Sequence, residues 1–199
     1  MYFIIKFRQK TKFAVITIGR SGSSELIYKL SSNVNIVPKP DNHLYPERLF
    51  EKYGKDIKVI FLTRNIAEVI QSILQRKIDK GTIWVEQHYK NLNSDFVNFS
   101  KILEEDILNF ENLYDAYNDQ NIFNVLFIKY ENLYFNHKET IDALCKFTNL
   151  DNLEIIYNKK NKWRGEYAST KDTKLNLMWD KSLQEQIDSY DFKLKKIKK

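Results

Sequence analysis

Residues 13–24 read FAVITIGRSGSS, an apolar and largely β-branched run that stops in a turn of small residues holding Gly19 and Gly22. Consecutive Val and Ile suit a strand buried on both faces, because a strand with one wet face alternates apolar with polar. Behind the turn, Leu26, Ile27 and Leu30 recur at helical spacing, so the stretch is predicted as strand, loop and helix. Such a loop aims backbone N–H groups, backed by the positive end of the helix dipole, at a single spot and so receives a phosphate-type anion.

Working outward, KVIFL at 58–62 is a second strand of the same buried type, followed at once by Thr63, Arg64 and Asn65. Asn65 is predicted to cap a helix whose capping box Glu68 closes, with Ile66, Val69, Ile70, Ile73 and Leu74 as its apolar stripe and Ser72 off that stripe. An amphipathic pattern over 96–117 reads as scaffold helix. NVLFI at 124–128 is a third buried strand reaching Lys129, Tyr130 and Glu131, and a further helix is expected to open with Asn136 as cap and Glu139 as box. Residues 151–173 read as a surface loop, and a last helix is expected over 175–190. Strands alternating with helices predict an α/β protein of three layers, a central parallel β-sheet flanked by helices, with ligands gathered at the carboxyl ends of the strands.

The chain has 199 residues, 43% of them hydrophobic, enough to bury one sizeable core, and a single domain over 1–199 is expected with a basic tail at about 191–199. A net charge of +6 favours anionic partners without choosing among them. The lone Cys145 excludes an internal disulfide and fits a reducing compartment, and no stretch reads as a membrane span or signal peptide, so a soluble, cytoplasmic protein is expected.

The turn is not a Walker A loop. Ser23, Ser24 and Glu25 follow Gly22 where a lysine and a hydroxyl residue would hold β/γ-phosphates and magnesium, which disfavours an ordinary ATPase. GRSGSS instead resembles the 5′-phosphosulfate loop of the sulfotransferases, and the likeness extends over most of residues 13–150. It implies a P-loop-like sulfotransferase fold that binds 3′-phosphoadenosine 5′-phosphosulfate (PAPS) and transfers its sulfuryl group, without a metal, to a hydroxyl or amine of an acceptor that the sequence does not identify. Arg20 would then polarise the sulfuryl group, with Ser21, Gly22, Ser23 and Ser24 on the 5′-phosphate. TRNIAEVIQS places Ser72 eight residues after Arg64, the family spacing for the pair that holds the 3′-phosphate, with Ile66 where proline is common.

The same resemblance implies Tyr130 as an adenine-side contact and Arg164 with Gly165 as a clamp over the 3′-phosphate, against the plainer reading of 159–165 as a solvated basic loop. KPDNHLYP at 39–46 is similar to the family's Lys-Thr-His-Leu-Pro stretch and makes His43 the candidate base, an imidazole being suited to proton transfer near neutral pH. Asp41 stands where the family lysine is expected, with Lys39 two residues earlier, and Asp41 is the alternative base. Two other classes remain in view: a nucleotide-kinase-type phosphotransferase, which would need ATP and magnesium, and a nucleic-acid-binding module, whose basic residues should be striped and here are scattered.

Overall fold

The structure, a computed structural model, describes residues 11–17, 22–41, 43–65, 68–69, 72, 109–118, 124–135, 137–153 and 185. Among these, strand β1 (Lys12–Thr17) leads to helix α1 (Ser23–Ser31), the short β2 (Asn35–Ile36), a 3₁₀ turn (Lys39–Asp41) and helix α2 (Pro46–Tyr53). Then come β3 (Lys58–Thr63), a helical segment α3 (residues 109–118), β4 (Val125–Lys129), α4 (Tyr130–Tyr134) and α5 (Lys138–Thr148). The strands form one parallel sheet in the order β2-β1-β3-β4. Parallel neighbours cannot be joined by a tight hairpin, so each connection crosses over, as the alternation of strand and helix predicts.

The described residues sort into two compact units. The first, drawn from 11–17, 22–62 and 114–153, holds the sheet. Here β1 and β3 run in register from Phe13 opposite Lys58 to Thr17 opposite Leu62, so the two strands finish within one residue of each other. From Phe13 to Thr17 and from Val59 to Leu62 every residue is buried, which is why no polar alternation marks either segment. Leu26 and Leu30 of α1, Leu49 of α2, Leu133 of α4 and Leu144 of α5 have no solvent exposure and complete the core. An aromatic cluster supplements it: Phe61 and Tyr114, Phe61 and Phe127, and Tyr114 and Phe127 pair with ring centroids 5.0–5.5 Å apart. Tyr117 joins Phe61 at 5.6 Å, and its hydroxyl donates to the Leu44 carbonyl at 2.7 Å, the partner that a buried phenol requires.

Strands β1, β3 and β4 fall within one residue of the predicted segments, but β4, expected to be buried, lies at the edge of the described sheet with Ile128 buried and Phe127 36% exposed. The two-residue β2, helix α2 and the single-turn α4 are elements that the sequence reading does not contain. Helix α5 opens differently from expectation: it begins at Lys138 with His137 in the capping position and no side-chain cap, and it ends on Asn149 in the left-handed conformation at φ 60°. In the second unit the described residues include 63–65, 68–69, 72 and 109–113. Within the expected terminal helix, Glu185 is helical and the remaining positions lie outside the described residues.

Candidate active site

Helix α1 begins at the carboxyl end of the sheet with Gly22 as its N-cap, at φ 84° and ψ 7°, a left-handed conformation in which a β-carbon is strained. The ring of Tyr130 lies directly against this glycine, so that a β-carbon added there would overlap its Cε2 and Cδ2. Glycine is thus required twice over, by backbone torsion and by a neighbouring ring. No side chain caps α1; the Glu25 and Leu26 N–H groups donate to the Gly22 carbonyl at 3.2 and 3.4 Å, while those of Ser23 and Ser24 precede the first helical carbonyl at the positive end of the helix. Ser23 is buried, whereas exposed Ser24 accepts a hydrogen bond from Lys39 Nζ at 2.7 Å, which brings a cation to the same helix end. Gly19, Arg20 and Ser21 lie outside the described residues.

The turn after β2 carries both candidate bases, and they differ sharply. His43 Nδ1 lies 2.6 Å from the Thr17 carbonyl at the last residue of β1. A carbonyl only accepts, so Nδ1 carries the proton and the lone pair of the neutral ring is left on Nε2. Although the residue as a whole is exposed, the inner edge of the ring is removed from water; this desolvation, with the nearby Lys39 charge, pulls the imidazole below its ordinary pKa against the upward pull of the Thr17 bond. A ring so placed is neutral at pH 7 and able to take a proton at Nε2.

Asp41 is only 8% exposed, and its carboxylate accepts from Lys52 Nζ at 3.0 and 2.9 Å and from the Tyr53 hydroxyl. The Tyr53 and Lys52 hydrogen bonds hold it below the usual carboxylate range. Lowered basicity and occupied oxygens are the wrong properties for a proton acceptor. Of the two candidates, Asp41 is committed to Lys52 and Tyr53, whereas the His43 ring bonds Thr17 through Nδ1 and keeps its lone pair on Nε2.

In the second unit, Asn65 Oδ1 accepts from the Glu68 N–H at 3.3 Å, the expected N-cap bond. The Glu68 carboxylate does not return to Asn65 as a capping box would have it. It accepts instead from Arg64 Nε at 3.3 Å and Nη2 at 2.7 Å, and both side chains are largely buried, at 16% exposure for Arg64 and 4% for Glu68. Ser72 is helical and half-buried. Arg164 and Gly165 lie outside the described residues.

The sulfotransferase domain profile matches residues 11–194, nearly the whole chain. The chain belongs to the sulfotransferase family. A crystal structure of a sulfotransferase from Alicyclobacillus acidocaldarius shares its fold, with a TM-score of 0.52 at 10% identity and 91% of each chain covered. Mouse sulfotransferase SULT7A1 complexed with PAP gives a TM-score of 0.47 at 15% identity, covering 90% of this chain and 82% of that one. No curated protein matches the sequence.

Two residues of this sulfotransferase domain that bear on the site escaped the sequence reading, and a third makes a different bond from the one expected. Lys52 and Tyr53, the partners of Asp41, sit on α2, whose signal was present in Pro46 at the first helical position ahead of Leu49 and Phe50. Glu68 was visible as a residue but read into the wrong bond, since the i,i+4 pairing with Arg64 competes with the capping box for one carboxylate. Among the described residues, no helix is long and apolar enough to cross a membrane.

Proposed function

We propose that this protein transfers the sulfuryl group of PAPS to a hydroxyl or amine by in-line displacement, with His43 as the general base. The observation that supports the reading is the bond from His43 Nδ1 to the end of β1, the strand that leads toward the proposed phosphate loop, because it leaves the lone pair of the neutral ring on Nε2. His43 Nε2 would take the acceptor proton as the acceptor oxygen or nitrogen forms its bond to sulfur and the bond from sulfur to the bridging phosphate oxygen breaks. The amides from Gly22 to Ser24, the Lys39 cation and Arg20 would offset the charge that develops on the departing 3′,5′-adenosine bisphosphate.

Arg64 and Ser72 are assigned to the 3′-phosphate, and Arg164 with Gly165 to a cover over it, from their match to the family pattern. Tyr130, expected on the adenine side, is only 8% exposed and packs on Gly22, so its ring supports the loop and offers a nucleotide little surface. A reducing, cytoplasmic setting suits the single free thiol, Cys145.

Calorimetric titration with 3′,5′-adenosine bisphosphate, run beside ATP with magnesium, tests the reading. The control is Arg64→Ala/Glu68→Gln, since deleting the guanidinium alone would leave a buried carboxylate unpaired. Binding of the bisphosphate that the double variant weakens supports the assignment; preference for ATP, or no nucleotide binding by the folded protein, overturns it.

A further inference from the structure

The segment from Lys39 to His43 is held at three points. Lys39 reaches Ser24 at the start of α1, His43 reaches the Thr17 carbonyl at the end of β1, and between them Asp41 points the other way, to Lys52 and Tyr53 in the last turn of α2. The burial of Asp41 is what calls for explanation. Lys39 and His43 are exposed, yet the side chain of Asp41 between them is 11% exposed, and a turn aspartate with no task gains nothing by leaving water. Its partners are themselves fixed: Lys12 Nζ and Lys52 Nζ lie 5.6 and 5.4 Å from the centre of the Tyr53 ring. Beyond Asp41, its carbonyl accepts from the Leu44 N–H at 3.3 Å, and the Leu44 carbonyl accepts from buried Tyr117. His43 thus stands between two anchored residues.

We propose that Asp41, Lys52 and Tyr53 form a positioning brace that holds the main chain where His43 Nδ1 must donate to Thr17, and so fixes which ring nitrogen is basic. Asp41 sits two residues from His43, so any shift of the carboxylate passes through two peptide links to the imidazole. A ring displaced from the Thr17 carbonyl loses the bond that favours the Nδ1–H tautomer and reverts to the mixture of a free imidazole. The catalytic meaning of the brace rests on the reading of His43 as the base; the brace itself is a matter of structure and is tested without turnover.

The experiment is two-dimensional ¹⁵N–¹H spectroscopy of the three imidazoles in the full, uniformly labelled chain above the imidazole titration range, with His43 assigned by its loss in His43→Gln. The native protein is expected to show a protonated Nδ1 and an unprotonated Nε2 for His43. Asp41→Asn and Tyr53→Phe are each expected to move both shifts toward the free-histidine mixture, and Lys52→Arg to keep more of the native pattern than Lys52→Met. If Asp41→Asn fails to fold, Tyr53→Phe, which deletes one hydroxyl, decides alone. A native His43 pattern in folded Tyr53→Phe and Asp41→Asn overturns the proposal. A kinetic arm uses 2-naphthol as acceptor probe: kcat is expected to fall roughly tenfold in Tyr53→Phe, a fraction of the about 10²–10⁴ that a general base supplies, with KM for PAPS unchanged. Failure of the native protein to bind bisphosphate would count against the sulfotransferase reaction and leave the spectroscopic result standing.

Discussion

Replacement of Gly22 by alanine tests the loop at its most constrained atom. At φ 84° an L-residue other than glycine carries a cost of about 1–2 kcal/mol. The new methyl would also overlap the Tyr130 ring, and tyrosine at 8% exposure has little room to retreat, so overpacking adds about 1–3 kcal/mol. Gly22→Ala is therefore expected to destabilise by about 2–5 kcal/mol, a large part of the 5–15 kcal/mol or so that holds a typical domain folded. The two contributions separate in a double-mutant cycle read by urea unfolding. In a Tyr130→Ala background the methyl meets no ring, and only the torsional cost of about 1–2 kcal/mol should remain. Bisphosphate titration of the folded Gly22→Ala protein should show weakened binding, because relief of the overlap moves the first-turn amides. A Gly22→Ala protein within about 0.5 kcal/mol of the parent, or an equal cost in both backgrounds, would refute the packing of Tyr130 on the loop.

His43→Gln is expected to lower kcat by about 10²–10⁴ with bisphosphate affinity unchanged, checked by steady-state kinetics beside calorimetry. Since desolvation lowers the His43 pKa, kcat/KM should hold steady above the ordinary imidazole value of 6.5 and fall on acidification with a midpoint below it; a midpoint above 6.5 contradicts the placement of the ring. Arg64→Ala strands Glu68 at 4% exposure and should cost about 3–5 kcal/mol of stability in urea melts, much of it recovered in Arg64→Ala/Glu68→Gln. The folded pKa of Asp41 lies below its ordinary 3.8, so the group contributes stability that is complete above 3.8 and is lost as pH falls through the folded value. Asp41→Asn should accordingly flatten the acid limb of stability against pH, measured by urea unfolding below about pH 4.

The parts of the fold that could be read from the chain were those whose burial leaves a one-dimensional trace. FAVITI and KVIFL announce themselves because both faces of β1 and β3 are covered, whereas NVLFI is as apolar but forms the half-exposed edge strand β4 of the described sheet, and the loop follows from its place behind the first of them. The two residues of β2 are too few to establish a period, and α4 is a single turn directly continuing a strand. The family pattern singled out His43 and Arg64 but not the company they keep. Asp41 reads as a rival base until the chain returns Lys52 and Tyr53 to it, eleven and twelve residues later, by way of a helix that Pro46 announces but whose packing against the turn no local pattern fixes. Glu68 had two partners within one helical turn, and the choice between them turns on burial of the Arg64 guanidinium, which the sequence does not display.

Thr17 contributes to the site through its backbone: its hydroxyl donates to the Leu62 carbonyl and joins the two strand ends, while its own carbonyl receives His43. Because that acceptor belongs to the main chain, no exchange of the side chain at position 17 deletes it. The acceptor for the imidazole is inherited with the strand itself and tolerates sequence drift at position 17, so that single codon changes reach it only through the side chains that bring the ring to it.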